Sequence, residues 1–121
     1  MKVTYITRNK RMKVEFDVNT QIQLWAELAR FQEVFEDTTC KKDGQESDDV
    51  RFVVRNVTKD GKNYKYYELR CMEQGPLRGV RKAFSCHEEG GGLYFKNKNS
   101  EGEYLPDNGW LRWDQKAKKE V

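Results

Sequence analysis

Cys40-Lys41-Lys42-Asp43-Gly44 and Cys71-Met72-Glu73-Gln74-Gly75 bracket the stretch on which the reading of this chain turns. Between them, residues 50–58 and 64–72 read as two strands, and Lys59-Asp60-Gly61-Lys62-Asn63 carries the Asp-Gly pair of a tight hairpin turn. Successive residues of a strand point to opposite faces. Phe52 and Val54 therefore face one way and Arg51, Val53 and Arg55 the other. On the return strand Tyr67, Leu69 and Cys71 oppose Tyr66, Glu68 and Arg70.

With cysteine at positions 43 and 74 the stretch would read C-x-x-C-G, hairpin, C-x-x-C-G, the layout of a zinc ribbon. Each such turn offers two thiolates, and its glycine lets the backbone turn toward the ion. Both glycines and both leading cysteines are present, while Asp43 and Gln74 stand where the trailing cysteines would be. The expectation is a zinc-ribbon-like hairpin without a metal, held by packing.

Upstream, residues 3–7 are β-prone and Arg8-Asn9-Lys10 reads as a turn. Met12, Val14, Phe16 and Val18 alternate with Lys13, Glu15 and Asp17, the period of a half-buried strand. A helix follows. Thr20 is placed to cap it, with Gln23 three residues on as a capping box requires. Leu24, Trp25, Leu28, Phe31 and Phe35 form its apolar stripe, expected to pack on the hairpin. Residues 40–49 read as a loop. Downstream, 80–86 is a strand, Gly90-Gly91-Gly92 a bend, Leu93-Tyr94-Phe95 a short strand, and Trp110, Leu111 and Trp113 a last aromatic one. Residues 115–121 read as a charged tail that frays.

The fold class that follows is α+β: an N-terminal β-hairpin, one amphipathic helix, then a zinc-ribbon-like antiparallel sheet of three to five strands. A single domain over 1–121 is expected, with hairpin and helix in 1–38, the sheet in 39–114 and the tail in 115–121, because neither part alone holds much apolar surface. Apolar and charged residues each make up 36% of the chain, so the core must be thin and aromatic-rich. No apolar run approaches the ~20 residues of a membrane span. Three cysteines fit a reducing compartment better than a disulfide framework, and a cytoplasmic protein is expected. The net charge of +3 is too small to identify an anionic partner by itself.

Residues 31–113 resemble a family of small phage and prophage proteins. The resemblance is carried by Phe31-Gln32-Glu33-Val34-Phe35-Glu36, Cys40 with Gly44, Tyr66-Tyr67-Glu68-Leu69-Arg70-Cys71, Gly91-Gly92-Leu93-Tyr94-Phe95 and Gly109-Trp110. It implies a phage-encoded protein in the host cytoplasm, working around viral DNA or against host defences. Asp43 and Gln74 depart from the family's knuckles, and without the trailing thiolates no zinc is expected.

The residues bear on four chemistries. Cys40, Cys71, Cys86 and His87 form a conceivable Cys₃His set, but neighbours 86 and 87 would point to opposite faces of a strand. No metal and no cofactor are therefore expected. His87, the only histidine, is followed by Glu88 and Glu89; Cys86 beside it is a thiol, but sequence neighbours rarely meet as nucleophile and base and no orienting third group is marked, so no enzyme is expected. Arg51, Arg55, Tyr66, Arg70, Arg81, Lys82, Lys96 and Lys98 instead suggest a nucleic-acid surface, with cations for phosphates and an aromatic face for unpaired bases. Single-stranded DNA is the favoured partner, although Glu68, Asp48 and Asp49 lie close enough to neutralise much of the charge. The alternative is an inhibitor of a host defence protein, anti-CRISPR or similar, using Glu33, Glu36, Asp37, Asp43, Glu46, Asp48 and Asp49 to imitate DNA phosphates. Neither reading calls for a membrane or a small-molecule substrate.

Overall fold

A computed structural model describes residues 1–87 and 90–121; Glu88 and Glu89, next to the only histidine, lie outside the described residues. The architecture is α+β, one helix with mostly antiparallel strands, and the chain forms two compact units, 1–37 and 38–121.

The first unit is a hairpin and a helix. Strands β1 (Lys2–Ile6) and β2 (Lys13–Asp17) pair antiparallel from Lys2 opposite Asp17 to Ile6 opposite Lys13. The alternation expected of β2 holds: Met12, Val14 and Phe16 are half-buried and Val18 is buried. The buried Thr7 closes the turn, its backbone N–H donating to the Met12 carbonyl at 3.0 Å and its hydroxyl accepting from the Met12 N–H at 3.1 Å. Helix α1 (Gln21–Phe35) starts as its sequence dictates. Gln23 N–H donates to the Thr20 hydroxyl at 3.0 Å, and the Gln23 side chain accepts from the Asn19 N–H at 2.7 Å. Phe31 anchors the inner face, edge-on to Tyr5 and Phe16 and stacked on Phe35. Trp25 departs from the expected stripe: it is 79% exposed, beside Ile22 at 84%, on the side of the helix away from Phe31. Val34 takes the buried place instead.

The second unit is built on a four-stranded antiparallel sheet in the order β5-β6-β7-β8, formed by Val50–Lys59, Lys62–Cys71, Arg81–Cys86 and Leu93–Tyr94. Val50 lies opposite Cys71 and Lys59 opposite Lys62, with Asp60 and Gly61 both at positive φ as a two-residue hairpin turn requires. A smaller hairpin, β3 (Cys40–Lys42) and β4 (Gln45–Ser47), occupies what reads as a loop in the sequence. Its turn, Asp43-Gly44, repeats the same geometry at φ 52° and 80°. The segment after Cys71 runs into a 3-10 turn, Gly75–Leu77, which lies against this small hairpin.

The core gathers Cys40, Leu69, Cys71, Leu77, Val80 and Trp110, so both leading cysteines sit in one apolar cluster. Gly109 seats Trp110: its φ is +86°, and a Cβ there would lie 2.4 Å from the Phe95 ring, so only glycine fits. The tail is ordered by pairing. β9 (Trp113–Asp114) and β10 (Lys119–Glu120) form a two-stranded ribbon, and Arg112 and Val121 exchange backbone hydrogen bonds at 3.0 and 2.9 Å. Leu111 and Arg81 exchange a further pair, at 2.9 and 2.8 Å, which ties this segment to β7.

Candidate functional site

Strand register decides where the charges go. Arg51 lies opposite Arg70, and Arg70 opposite Arg81, so one row of arginines crosses three strands. Adjacent strands are about 4.8 Å apart. Like charges at that spacing repel, and the next row supplies the remedy: Val53, Glu68 and Ala83. Beyond it Arg55 faces Tyr66, and Val57 faces Tyr64.

Glu68 is the hub. Its side chain is 2% exposed and accepts from Arg81 Nη1 at 2.6 Å, from Arg55 Nε at 3.3 Å and from Arg70 Nη2 at 3.3 Å. Arg81 also donates to Glu120, through Nε at 2.5 Å and through a second, closer contact. Three guanidinium groups thus meet two carboxylates, with Arg51 beside them in the row, and the face keeps a surplus of positive charge. Arg55 lies over the Tyr66 ring, 4.6 Å from its centroid. Tyr64 and Tyr66 are 44% and 43% exposed and on the same face. From Tyr64 to Arg70 this face runs about 20 Å along the strand.

The remaining candidate cations are placed elsewhere. Lys82 pairs with Leu69, on the opposite face from Arg81, and is 2% exposed, its Nζ 4.2 Å from the centroid of Phe95. The period of two forbids Arg81 and Lys82 to share a face, so Lys82 belongs to the interior of the sheet. Lys96 and Lys98 lie exposed after β8, with Lys98 over Tyr104 at 4.7 Å. Arg51, Arg55, Tyr66, Arg70 and Arg81 are the group brought together. Tyr64 and Trp113 join them without having been singled out from the sequence. The Arg55–Tyr66 alternation points to Tyr64 two residues back, whereas Trp113 depends on the Leu111–Arg81 bridge, which no local pattern announces.

The acidic candidates fall in both units. In the first, the Glu36 carboxylate accepts from the Tyr5 hydroxyl at 2.5 Å, from the Arg8 backbone N–H and from the Arg8 guanidinium. Burial alone would raise its pKa; these donors outweigh it and hold the carboxyl below its ordinary value. The hydrogen bond to Glu36 is the main cause that raises the Tyr5 hydroxyl. Glu33 and Asp37 lie on or just after the same helix. In the second unit Asp43 reaches Arg112 at 3.5 Å, Glu46 meets Lys41 at 3.8 Å and Asp48 accepts from Thr39 at 2.7 Å. The Asp49 carbonyl accepts from Met72 N–H at 2.7 Å.

Asp43 has a particular neighbour. Arg112 binds its carboxylate and also donates to the Pro76 carbonyl, spanning the two glycine-ended turns. Lys42, 6% exposed, pairs with Asp107 at 3.0 Å. Cys86 is exposed and its thiol donates to the His87 carbonyl; the His87 ring stacks on Tyr94 at 4.4 Å. Among the described residues no group of three or more His, Cys, Asp or Glu is arranged to hold a metal ion, and no helix is long and apolar enough to cross a membrane. No protein-family model, curated protein or solved structure matches the chain.

Proposed function

We propose that this protein binds single-stranded nucleic acid, DNA in the first instance, on the face of the β5–β6–β7 sheet that carries Arg51, Arg55, Arg70 and Arg81 with Tyr64 and Tyr66. The observation that carries the reading is the register: one face holds the row of Arg51, Arg70 and Arg81 and, two rows along, Arg55 with the exposed Tyr66 and Tyr64, so it offers guanidinium groups to phosphates and aromatic rings to unpaired bases. Glu68 positions three of the arginines and leaves the face basic. No catalytic step is assigned. The defence-inhibitor alternative has less support, because Glu36, Asp43, Glu46 and Asp48 each already engage a donor of their own unit.

We read the two glycine-ended turns as a zinc-ribbon layout that has shed its ion, in a phage-type protein. Two features favour this: Cys40 and Cys71 share one core, and Arg112 bridges Asp43 to Pro76 where an ion would otherwise link the turns.

The test is a salt titration with an oligothymidylate and with duplex DNA. Single-strand binding that weakens steeply between about 50 and 200 mM salt is expected. Arg51→Glu should reduce it strongly without unfolding the chain, since Arg51 is exposed and lies outside the Glu68 cluster. Absence of binding at about 50 mM salt would sink the proposal.

A further inference from the structure

A cleft of about 420 Å³ opens at the end of the arginine row, lined by Arg70, Cys71, Met72, Gly79, Val80, Arg81 and Trp113. Its size lies within the range of roughly 300–1,000 Å³ of small-ligand pockets. Cys71 and Val80 are buried and apolar. Met72 and Trp113 are 37% and 49% exposed, and Trp113 makes no ring pair among the described residues. The cleft thus offers a flat aromatic face and a thioether beside two guanidinium groups.

The two arginines are not equivalent. Glu68 and Glu120 both hold Arg81, whose side chain is 27% exposed. Glu120 lies opposite Trp113 in the β9–β10 ribbon, so the C-terminal strand fixes both walls of the cleft. Among the described residues the ion pair of Arg70 is with Glu68, at 3.3 Å, and its side chain is 42% exposed, which leaves donors for an incoming anion.

We propose that this cleft seats one nucleotide of the bound strand: the unpaired base stacks on Trp113 against Met72, and its phosphate meets Arg70. Arg81 is a positioning residue, held by Glu120 so that it closes the wall. The assignment rests on the single-strand reading above and goes beyond it, because phosphates alone would need no cleft. A planar aromatic base accounts for the exposed indole, and an adjacent phosphate accounts for the freer guanidinium.

The experiment uses the intact chain with an oligothymidylate of about ten nucleotides and an abasic strand of the same length. Trp113→Ala should weaken oligothymidylate binding roughly ten- to hundredfold while leaving the abasic affinity unchanged. Trp113→Phe keeps a stacking ring and should restore most of the loss; its thermal unfolding reports on the fold independently. Equal losses on both strands, or no loss on either, would overturn the cleft assignment. If the unaltered chain binds both strands equally and with steep salt dependence, the basic face stands and the cleft assignment falls. If it binds neither strand, both fall together. Thymidine monophosphate is the last arm: affinity matching that of the oligonucleotide would assign the cleft to a free nucleotide and overturn its place in strand binding.

Discussion

At the scale of single residues, Glu68 sets the stability of the basic face, since it pairs with three of its arginines. Remove its charge and Arg51, Arg70 and Arg81 remain in a row across three strands, offset among the described residues by Glu120 at Arg81. Glu68→Gln keeps the shape and loses the charge. Breaking a buried ion pair costs about 3–5 kcal/mol, but the arginines here are partly exposed, so roughly 2 kcal/mol is expected in thermal or urea unfolding. The same substitution should bind single strands more tightly, because the surplus of positive charge rises. A Glu68→Gln chain as stable as the parent would show that the arginines do not depend on it. That Glu68 shares a face with the arginines was legible from the period of two alone. That it is buried beneath them was not, since burial depends on β7 laying Arg81 and Ala83 alongside. Lys82 shows the converse: the same period, applied to β7, sets it apart from Arg81, and its chemistry as a cation drew attention away from its place facing inward with Leu69.

At the scale of elements, caps and turns were the most legible features because their chemistry is local. Thr20 with Gln23, and Asp60 with Gly61, act through neighbours a few residues away. The β3–β4 hairpin was hidden because Lys41, Lys42, Gln45 and Glu46 give no apolar alternation; only its Asp-Gly turn signalled it. The ordered tail was hidden for a different reason: Glu120 and Val121 are held by Arg81 and Arg112, both distant in sequence. In the first unit one polar clamp ties the end of α1 to β1, through Tyr5, Arg8 and Glu36. Its pH dependence follows from the direction of the shift. The Glu36 carboxyl titrates below its ordinary 4.5 in the folded chain, so its contribution is present above the unfolded value and is lost as pH falls through the folded one. Acidification below about pH 4 should therefore loosen the first unit. Tyr5→Phe removes the strongest of the donors and should flatten this acid response, read from helical circular dichroism. An unchanged acid transition in Tyr5→Phe would mean that the clamp does not report on this carboxyl.

At the scale of the whole molecule, composition foretold a thin core, and the buried apolar residues bear this out in their distribution. Val18 and Val34 are those of the first unit, whereas Cys40, Leu69, Cys71, Leu77, Val80 and Trp110 gather in the second. The division at residue 37 was harder to read, because sequence pattern marks strands and helices but not which of them share a core. It has a consequence for folding. Chains below about 40 residues seldom bury enough surface to fold without a metal, disulfide or partner. Residues 1–37 should therefore be largely unfolded when made alone. Residues 38–121 carry the core cluster, the Arg112 bridge between the two turns and every residue assigned to the basic face and its cleft. That fragment should fold cooperatively in urea and bind an oligothymidylate within a few-fold of the intact chain, with the same salt slope. A folded fragment that has lost single-strand binding would place essential contacts in residues 1–37. An unfolded one would show that the core of the second unit is insufficient by itself.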